Sequence, residues 1–181
     1  MKRFLAAFFV LSLFACNSAT EPATAEAKAF VPADMHGYTA QYSASFVMDS
    51  AANTETVLAL WRAWQEGDLS KARQYFADSF TVMPYEGGVM SGPTDEIMQG
   101  TQQWRNSFKT MNTAVDAVFS TYSTDRKEHW VGIWGTEIRS DSTGKVDSLS
   151  LQETWRFNSA GKVDMMFQSA RHGVQPPPPA Q

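Results

Sequence analysis

The stretch 149–157, Leu-Ser-Leu-Gln-Glu-Thr-Trp-Arg-Phe, alternates apolar and polar residues at every position except one. The apolar positions are Leu149, Leu151, Trp155 and Phe157. A two-residue period predicts a β-strand with one buried face and one face toward solvent. The exception is Glu153, which falls in the middle of the buried face. Because burying a carboxylate is costly unless it has partners, Glu153 is either a structural acid or the polar group of a pocket.

The rest of the chain predicts helices first and then a long antiparallel meander. A first helix starts near Asn53 and stops at Gly67, Asp68 caps a second short helix, and a third starts at Gly92. After a short strand over 80–84, four long strands are predicted over 113–123, 128–139, 146–157 and 163–171. The last three are joined by the turns 141–144 and 158–161, each of which ends in glycine. This order predicts an α+β fold with helices on one face of a curved sheet.

The N-terminus predicts a lipid anchor. A basic start, an apolar run over 4–15 and a single cysteine, Cys16, resemble a bacterial lipoprotein signal in which the cysteine becomes the lipidated first residue. The apolar run is too short to span a bilayer, which takes about 20 residues. The residue after the cysteine, Asn17, is uncharged, which resembles the pattern of lipoproteins retained in the outer membrane. We therefore expect a lipid-anchored protein of the bacterial cell envelope, with an ordinary signal peptide and a chance cysteine as the alternative.

These features divide the chain into four parts. Residues 1–15 are predicted to be the lipoprotein signal peptide, and 16–37, rich in Ala, Thr, Glu and Pro, a flexible tether. Residues 38–173 form the folded domain, which opens on a short leading strand within 38–48. Residues 174–181 contain four consecutive prolines and are predicted to be a disordered tail.

Composition excludes several classes of function. With one cysteine, the domain has neither a disulfide nor a thiolate metal site. Loss of the first 15 residues leaves 13 basic and 19 acidic residues with no basic run, which argues against nucleic acid. The domain histidines, His129 and His172, fall at opposite ends of the predicted sheet, so we expect no metal site and no cofactor.

Two segments carry a resemblance to a known fold family. The residues Gly67-Asp68-Leu69, Phe76-Ala77-Asp78 and Thr81-Val82 resemble the helix–helix–strand entry of the nuclear-transport-factor-2-like superfamily. The segment 153–163, Glu-Thr-Trp-Arg-Phe-Asn-Ser-Ala-Gly-Lys-Val, resembles a segment of the ketosteroid isomerases, which belong to it together with SnoaL-like polyketide cyclases. The resemblance implies a cone-shaped, curved antiparallel sheet with three N-terminal helices packed on its concave face around a pocket.

The resemblance does not extend to the isomerase chemistry. In that family the acid of this strand is a protonated aspartic acid of an oxyanion hole, and Glu153 occupies the matching place. The partner tyrosine is matched by Leu60, and the general base by about Pro84, with Glu86 nearby but out of register. No catalytic residue is therefore assigned, and Glu153 is the only candidate.

The strand register decides which residues surround Glu153. Treating 141–144 as a four-residue connection places Glu153 opposite Gly132, with Trp130 and Trp134 on the pocket side, and we favour this register. A three-residue loop with a bulge at Gly144 would instead turn both tryptophans outward and bring Val131 and Ile133 inside.

The strand register across the second turn, 158–161, is ambiguous in the same way. Treated as a four-residue connection, it brings Met166 and Gln168 into the pocket, whereas the apolar residues Val163, Met165 and Phe167 favour the opposite slip. A bulge near Val163 would satisfy both patterns.

Three functions fit this pattern. The first is a non-catalytic module that binds a small, mostly apolar molecule; the predicted site residues are Glu153, Trp155, Trp134, Trp130, Met166, Gln168 and Tyr85, the last at the mouth. The second is an enzyme of the ketosteroid-isomerase or polyketide-cyclase class with Glu153 as acid or base. The third is a structural homodimer through the polar sheet face, Gln152, Thr154 and Arg156. If no cation lies near Glu153, burial should raise its pKa.

Overall fold

The structure is a computed structural model that describes residues 34–173. The predicted signal peptide, the predicted lipidation site Cys16, most of the predicted tether and the tail 174–181 lie outside the described residues. The leading segment contributes one short strand, β1 (Phe46–Met48), within the predicted range 38–48. It pairs with the strand that ends at Ser123.

Three helical segments lie where the sequence predicts them. Helix α1 (Ala51–Glu66) is capped by Ser50, whose hydroxyl accepts from the Ala52 amide at 3.2 Å, so it starts two residues before Asn53. It ends at Gly67, whose φ of 82° is favourable only for glycine. A 3-10 helix (Leu69–Tyr75) and helix α2 (Thr94–Arg105) follow. Within 34–173, no helix combines the length and the hydropathy needed to cross a bilayer.

The remaining strands form one curved, open sheet. They are β2 (Phe76–Met83), β3 (Met90–Pro93), β4 (Phe108–Ser123), β5 (Glu128–Asp141), β6 (Val146–Phe157) and β7 (Val163–His172). Their order in the sheet is β1-β4-β5-β6-β7-β2-β3. All neighbours are antiparallel except β2 and β7, which run parallel. The predicted α+β architecture is confirmed, with this one parallel pair as an addition.

The favoured register of the β5–β6 hairpin is wrong. Glu153 pairs with Ile133, not with Gly132. The reason lies in the turn: the Asp141 amide donates to the Lys145 carbonyl at 3.1 Å, and Gly144 takes a φ of 86°. The connection is therefore a three-residue loop with a bulge at Gly144, and the one-residue slip exchanges the two faces of β5.

The exchange decides which β5 residues face the helices. Val131 and Ile133 are fully buried on the inner, concave face, the face that carries Glu153. Trp130 and Trp134 lie on the outer face, so they do not surround Glu153 as predicted.

The β6–β7 hairpin contains the bulge that reconciles its two patterns. Arg156 pairs with Met165 and Phe157 with Val163, which leaves Asp164 as the extra residue. Val163 is consequently buried on the inner face, while Gln168 still pairs with Glu153. The predicted bulge near Val163 is confirmed.

The core lies between the helices and the inner face of β5, β6 and β7. It includes Val57, Leu60 and Trp61 from α1, Leu69 and Ala72 from the 3-10 helix, and Val131, Ile133, Leu149, Leu151, Trp155, Phe157 and Val163 from the sheet. A cavity lies within this space and is lined by residues of both the helices and the sheet.

Candidate functional site

A cavity of about 730 Å³ lies between the helices and the concave face of the sheet. Its walls are mostly apolar and include Trp61, Trp64, Phe76, Phe80, Trp104 and Trp155. Four glutamates also line it, namely Glu86, Glu96, Glu137 and Glu153. Lysine, arginine and histidine are absent from the described residues that line the cavity.

Glu153 is a buried residue of the cavity wall and accepts three hydrogen bonds. Its Oε2 accepts from the indole Nε1 of Trp61 at 2.6 Å and from that of Trp155 at 3.0 Å. Its Oε1 accepts from the Gln168 side-chain amide at 2.7 Å. The side chain is only 6% exposed, and both oxygens are already engaged by neutral donors.

Burial raises the pKa of Glu153, because the ionised form loses its hydration. The hydrogen bonds from Gln168, Trp61 and Trp155 act in the opposite direction without cancelling that effect, and the nearby Glu137 carboxyl adds a further rise. The expected rise in pKa is confirmed.

The two protonation states of Glu153 place different demands on its partners. An indole N–H can only donate, so Trp61 and Trp155 suit either state through Oε2. A protonated carboxyl would carry its hydrogen on Oε1 and would need Gln168 to rotate its amide and accept. Gln168 is therefore the partner that can hydrogen-bond to Glu153 in both protonation states, as a donor to the carboxylate and as an acceptor from the protonated acid.

A glycine on β5 lets the Trp61 indole reach Glu153. A Cβ at Gly135 would lie 2.8 Å from two ring atoms of Trp61 and 2.2 Å from the carbonyl oxygen of Ala114. Only a residue without a side chain permits this approach. The position of the indole over the sheet thus depends on Gly135.

A second buried acid, Glu137, repeats the arrangement on β5. The indole Nε1 of Trp64, one helical turn after Trp61 on α1, donates to its Oε2 at 2.6 Å. Arg139 donates to its Oε1 at 3.1 Å, so Glu137, unlike Glu153, contacts a cation. Burial raises the pKa of Glu137, against the effects of Trp64 and Arg139.

Arg139 connects this acid to the outer part of the domain. Its Nη2 donates to the Tyr85 hydroxyl at 2.9 Å and to Asp147 Oδ2 at 3.2 Å. Its guanidinium lies 4.5 Å from the ring centroid of Phe108, a cation–π distance. Tyr85 was predicted at the mouth of the pocket. Instead it packs against Arg139 and does not line the cavity.

Glu137 was not among the site residues predicted from the sequence. Its signal was the pair Glu137 and Arg139, two residues apart on one strand and hence on one face. The favoured register places that face outward, away from the pocket. The alternative register would have placed it inside.

The other predicted site residues separate into two groups. Trp155, Met166 and Gln168 line the cavity together with Glu153. Trp130 stacks on Phe167 on the outer face at 6.2 Å between ring centroids. Trp134 is 46% exposed there and contacts Phe119. Their predicted role in the pocket is wrong, because the one-residue slip of β5 turns them away from it.

The positions implied by the isomerase resemblance can also be located. Leu60 and Pro84 both line the cavity, so the places of the family's tyrosine and aspartate are apolar here. Glu86 lines the cavity from an exposed turn.

The domain histidines, His129 and His172, contact aspartates and do not line the cavity. His129 Nδ1 lies 2.6 Å from Asp49 Oδ2, and His172 Nδ1 lies 3.2 Å from Asp147 Oδ2, at the other end of the sheet. Within residues 34–173, no group of three His, Cys, Asp or Glu side chains is arranged to hold a metal ion.

The outer face of the sheet is less polar than predicted. Beside Gln152 and Thr154 it exposes aromatic rings, and a groove of about 550 Å³ is lined by Phe119, Trp130, Phe167 and their neighbours. Arg156 on this face is held by Asp164, 2.9 Å from its Nε. A homodimer through this face stays a prediction.

Comparison with known proteins identifies the architecture. No family model matches the chain, and no curated protein matches its sequence. Solved structures do match, each over about two thirds of this chain. The chain has the nuclear-transport-factor-2-like fold. An NTF2-like protein of unknown function from Burkholderia pseudomallei is 19% identical over 66% of this chain and 90% of its own, with a TM-score of 0.53.

Two further neighbours with this NTF2-like fold are a ligand complex and an enzyme. RV0760c from Mycobacterium tuberculosis, in complex with estradiol-17beta-hemisuccinate, is 12% identical over 64% of this chain and 91% of its own, with a TM-score of 0.53. SalBIII, an epoxide hydrolase/cyclase-like enzyme with a role in pyran ring formation, is 17% identical over 71% of this chain and 100% of its own, with a TM-score of 0.52. At such identities, these likenesses establish the fold alone.

Proposed function

We propose that this NTF2-like domain binds a small, mostly apolar molecule in its cavity, with Glu153 as the polar anchor. The observation that carries the proposal is the cavity itself, whose volume of about 730 Å³ is in the range of small-molecule sites. Its walls are aromatic and aliphatic, and Glu153 lies among them with one oxygen, Oε1, that accepts a single bond. An apolar pocket with one placed polar group is the usual form of such a site.

Binding is better supported than catalysis. An acid–base reaction of the isomerase type needs groups beyond the acid, and the matching positions, Leu60 and Pro84, have no ionisable group. The oxygens of Glu153 are engaged by indole and amide donors, so the carboxyl is held as a fixed group. The alternative of an enzyme that uses Glu153 as acid or base therefore rests on a single residue.

A binding role also agrees with what the fold does elsewhere. The Mycobacterium tuberculosis neighbour was crystallised with a steroid ester, which is a mostly apolar molecule. That complex belongs to the neighbour; it supports a small ligand here only through the shared fold.

A cavity-filling substitution tests the proposal. Gly100 on α2 lines the cavity with open space around it, so a Gly100→Trp side chain should occupy the site. We expect saturable binding of the neutral fluorophore N-phenyl-1-naphthylamine to the wild type, and binding about tenfold weaker in Gly100→Trp. Gln103→Trp, on the same helix but outside the cavity, is the matched control and should keep wild-type affinity. Equal affinity in all three proteins, or no binding to the wild type, would contradict the proposal.

We also propose that the domain is tethered to the bacterial outer membrane through lipid on Cys16, a position supported by the sequence pattern alone. Cys16→Ser should remove the acyl group and release the protein from the membrane fraction of its host. Mass spectrometry of the N-terminal peptide and fractionation of the envelope provide the readout. An unmodified cysteine in the wild type, or membrane attachment unchanged by the substitution, would refute the anchor.

A further inference from the structure

The charges around the cavity are unevenly distributed. Among the described residues that line it, the four ionisable side chains are all glutamates, and the two inner ones, Glu137 and Glu153, are almost fully buried. The buried cations of this region, Arg105 and Arg139, lie behind the wall and do not line the cavity. The charged groups that a molecule meets among these lining residues are therefore carboxyls.

The two buried acids differ in how their charge is balanced. Glu137 is paired with Arg139 at 3.1 Å and is also attracted by Arg105. The three donors to Glu153 are neutral, and the nearby carboxyl of Glu137 adds to the rise in its pKa. Among residues 34–173, Glu153 thus has three hydrogen bonds but no counter-ion.

The hydrogen-bond donors of the wall are largely committed within the protein. The indole N–H groups of Trp61, Trp64 and Trp155 donate to the two glutamates. The hydroxyls of Thr101 and Thr113 donate to the Ile97 carbonyl and to the Gln65 side chain. An anionic ligand would find acids and few free donors.

The same arrangement suits a cation. Because their N–H groups are engaged, the indoles offer the cavity mainly ring carbon, and tryptophan is the side chain that attracts cations most strongly through its ring. A low-dielectric, water-poor site strengthens the attraction between a buried carboxylate and a positive group.

We propose that the ligand class of this cavity is an apolar molecule with one positive charge, an amine or quaternary ammonium, whose cationic group lies beside Glu153. The inference rests on the proposed binding function and adds the charge of the ligand to it. The carboxylate of Glu153 balances the positive charge of the ligand, and no described residue of the protein already pairs with that carboxylate. The tryptophans enclose the cationic group.

Three probes with the same ten-carbon chain test the charge. We expect decyltrimethylammonium to bind the wild type about tenfold more tightly than decan-1-ol, and decanoate about tenfold more weakly than decan-1-ol, by isothermal titration calorimetry. In Glu153→Gln, which keeps an acceptor for the indoles, the ratio of ammonium to alcohol affinity should fall to about threefold or less. Glu55→Gln, an exposed position on α1 outside the cavity, should keep the wild-type ratio.

The outcomes separate the two proposals. If decan-1-ol binds but decyltrimethylammonium is not preferred, or if its preference survives in Glu153→Gln, the charge inference is wrong and the binding function stands. If none of the three probes binds the wild type and N-phenyl-1-naphthylamine also fails, the binding function itself is wrong.

Discussion

Replacing Gly135 with alanine is expected to lower the free energy of unfolding by about 3 kcal/mol, the cost of forcing an extra group into a tightly packed site. The added Cβ would lie 2.2 Å from the Ala114 carbonyl oxygen, which belongs to the paired strand and cannot rotate away. It would also lie 2.8 Å from the ring of Trp61, so the indole must shift and its hydrogen bond to Glu153 is strained or lost.

A second glycine on the same strand provides the control. A Cβ at Gly132 would meet the Phe119 ring at 2.4 Å, but that side chain is 36% exposed on the outer face and can turn into solvent. Gly132→Ala should therefore cost about 1 kcal/mol or less. Urea unfolding of both variants at one pH gives the comparison, and equal losses would show that Trp61 does not depend on Gly135.

Much of this fold follows from local patterns. The alternation over 149–157 places Glu153 on the buried face of β6 whatever its neighbours do, and Gly67 ends α1 because its positive φ terminates a helix. Such features depend on a few adjacent residues. The position of Gln168 opposite Glu153 can also be predicted from the sequence. A bulge near Val163 satisfies both the four-residue connection at 158–161 and the apolar positions that favour the opposite slip.

The register of β5 does not follow from the same patterns. The turns 141–144 and 158–161 have similar compositions, and a loop shorter by one residue exchanges every side chain between the two faces. Both faces of β5 carry large apolar side chains, such as Trp130 and Ile133, so hydrophobicity does not choose between them. Because of this ambiguity, Glu137 was not predicted to line the cavity, and Trp134 was predicted on the wrong face of β5.

The partners of Glu153 required the tertiary structure. Trp61 lies 92 residues before the acid to which it donates, and a helix position that packs against a core gives no sign of a hydrogen-bonding role. The i, i+3 spacing of Trp61 and Trp64 predicts a shared helix face. That this face meets two acids on neighbouring strands depends on how α1 crosses the sheet.

Replacing Glu153 with glutamine is expected to make the protein more stable, and increasingly so as the pH rises. Burial raises the pKa of Glu153 above its ordinary value of 4.5, so the folded protein holds this proton more tightly than the unfolded chain does. Below both pKa values the carboxyl is neutral in either state and contributes no pH dependence. Above 4.5 the unfolded chain ionises first, and the wild type loses stability until the pH passes the folded pKa.

The glutamine side chain of the Glu153→Gln variant would avoid this loss without breaking the hydrogen bonds. Its carbonyl oxygen can accept from Trp61 and Trp155, and its amide can donate to Gln168 once that side chain rotates. At about pH 8 the gain should be on the order of 2 kcal/mol, since an unpaired buried carboxylate costs several kcal/mol before its hydrogen bonds are counted.

The measurement is urea unfolding of wild type and variant from about pH 4 to about pH 8, scored as the difference in unfolding free energy at each pH. Glu55→Gln, an exposed position on α1, controls for the loss of one surface charge and should show a flat difference. A difference for Glu153→Gln that stays constant across the range would mean that the folded protein does not penalise the charge on Glu153. The proposed role of Glu153 in binding a cation requires that penalty. In the ligand-free protein, the buried carboxylate has no counter-ion and lowers the free energy of unfolding. A cationic ligand that pairs with Glu153 would remove this cost, and the free energy so recovered would favour its binding.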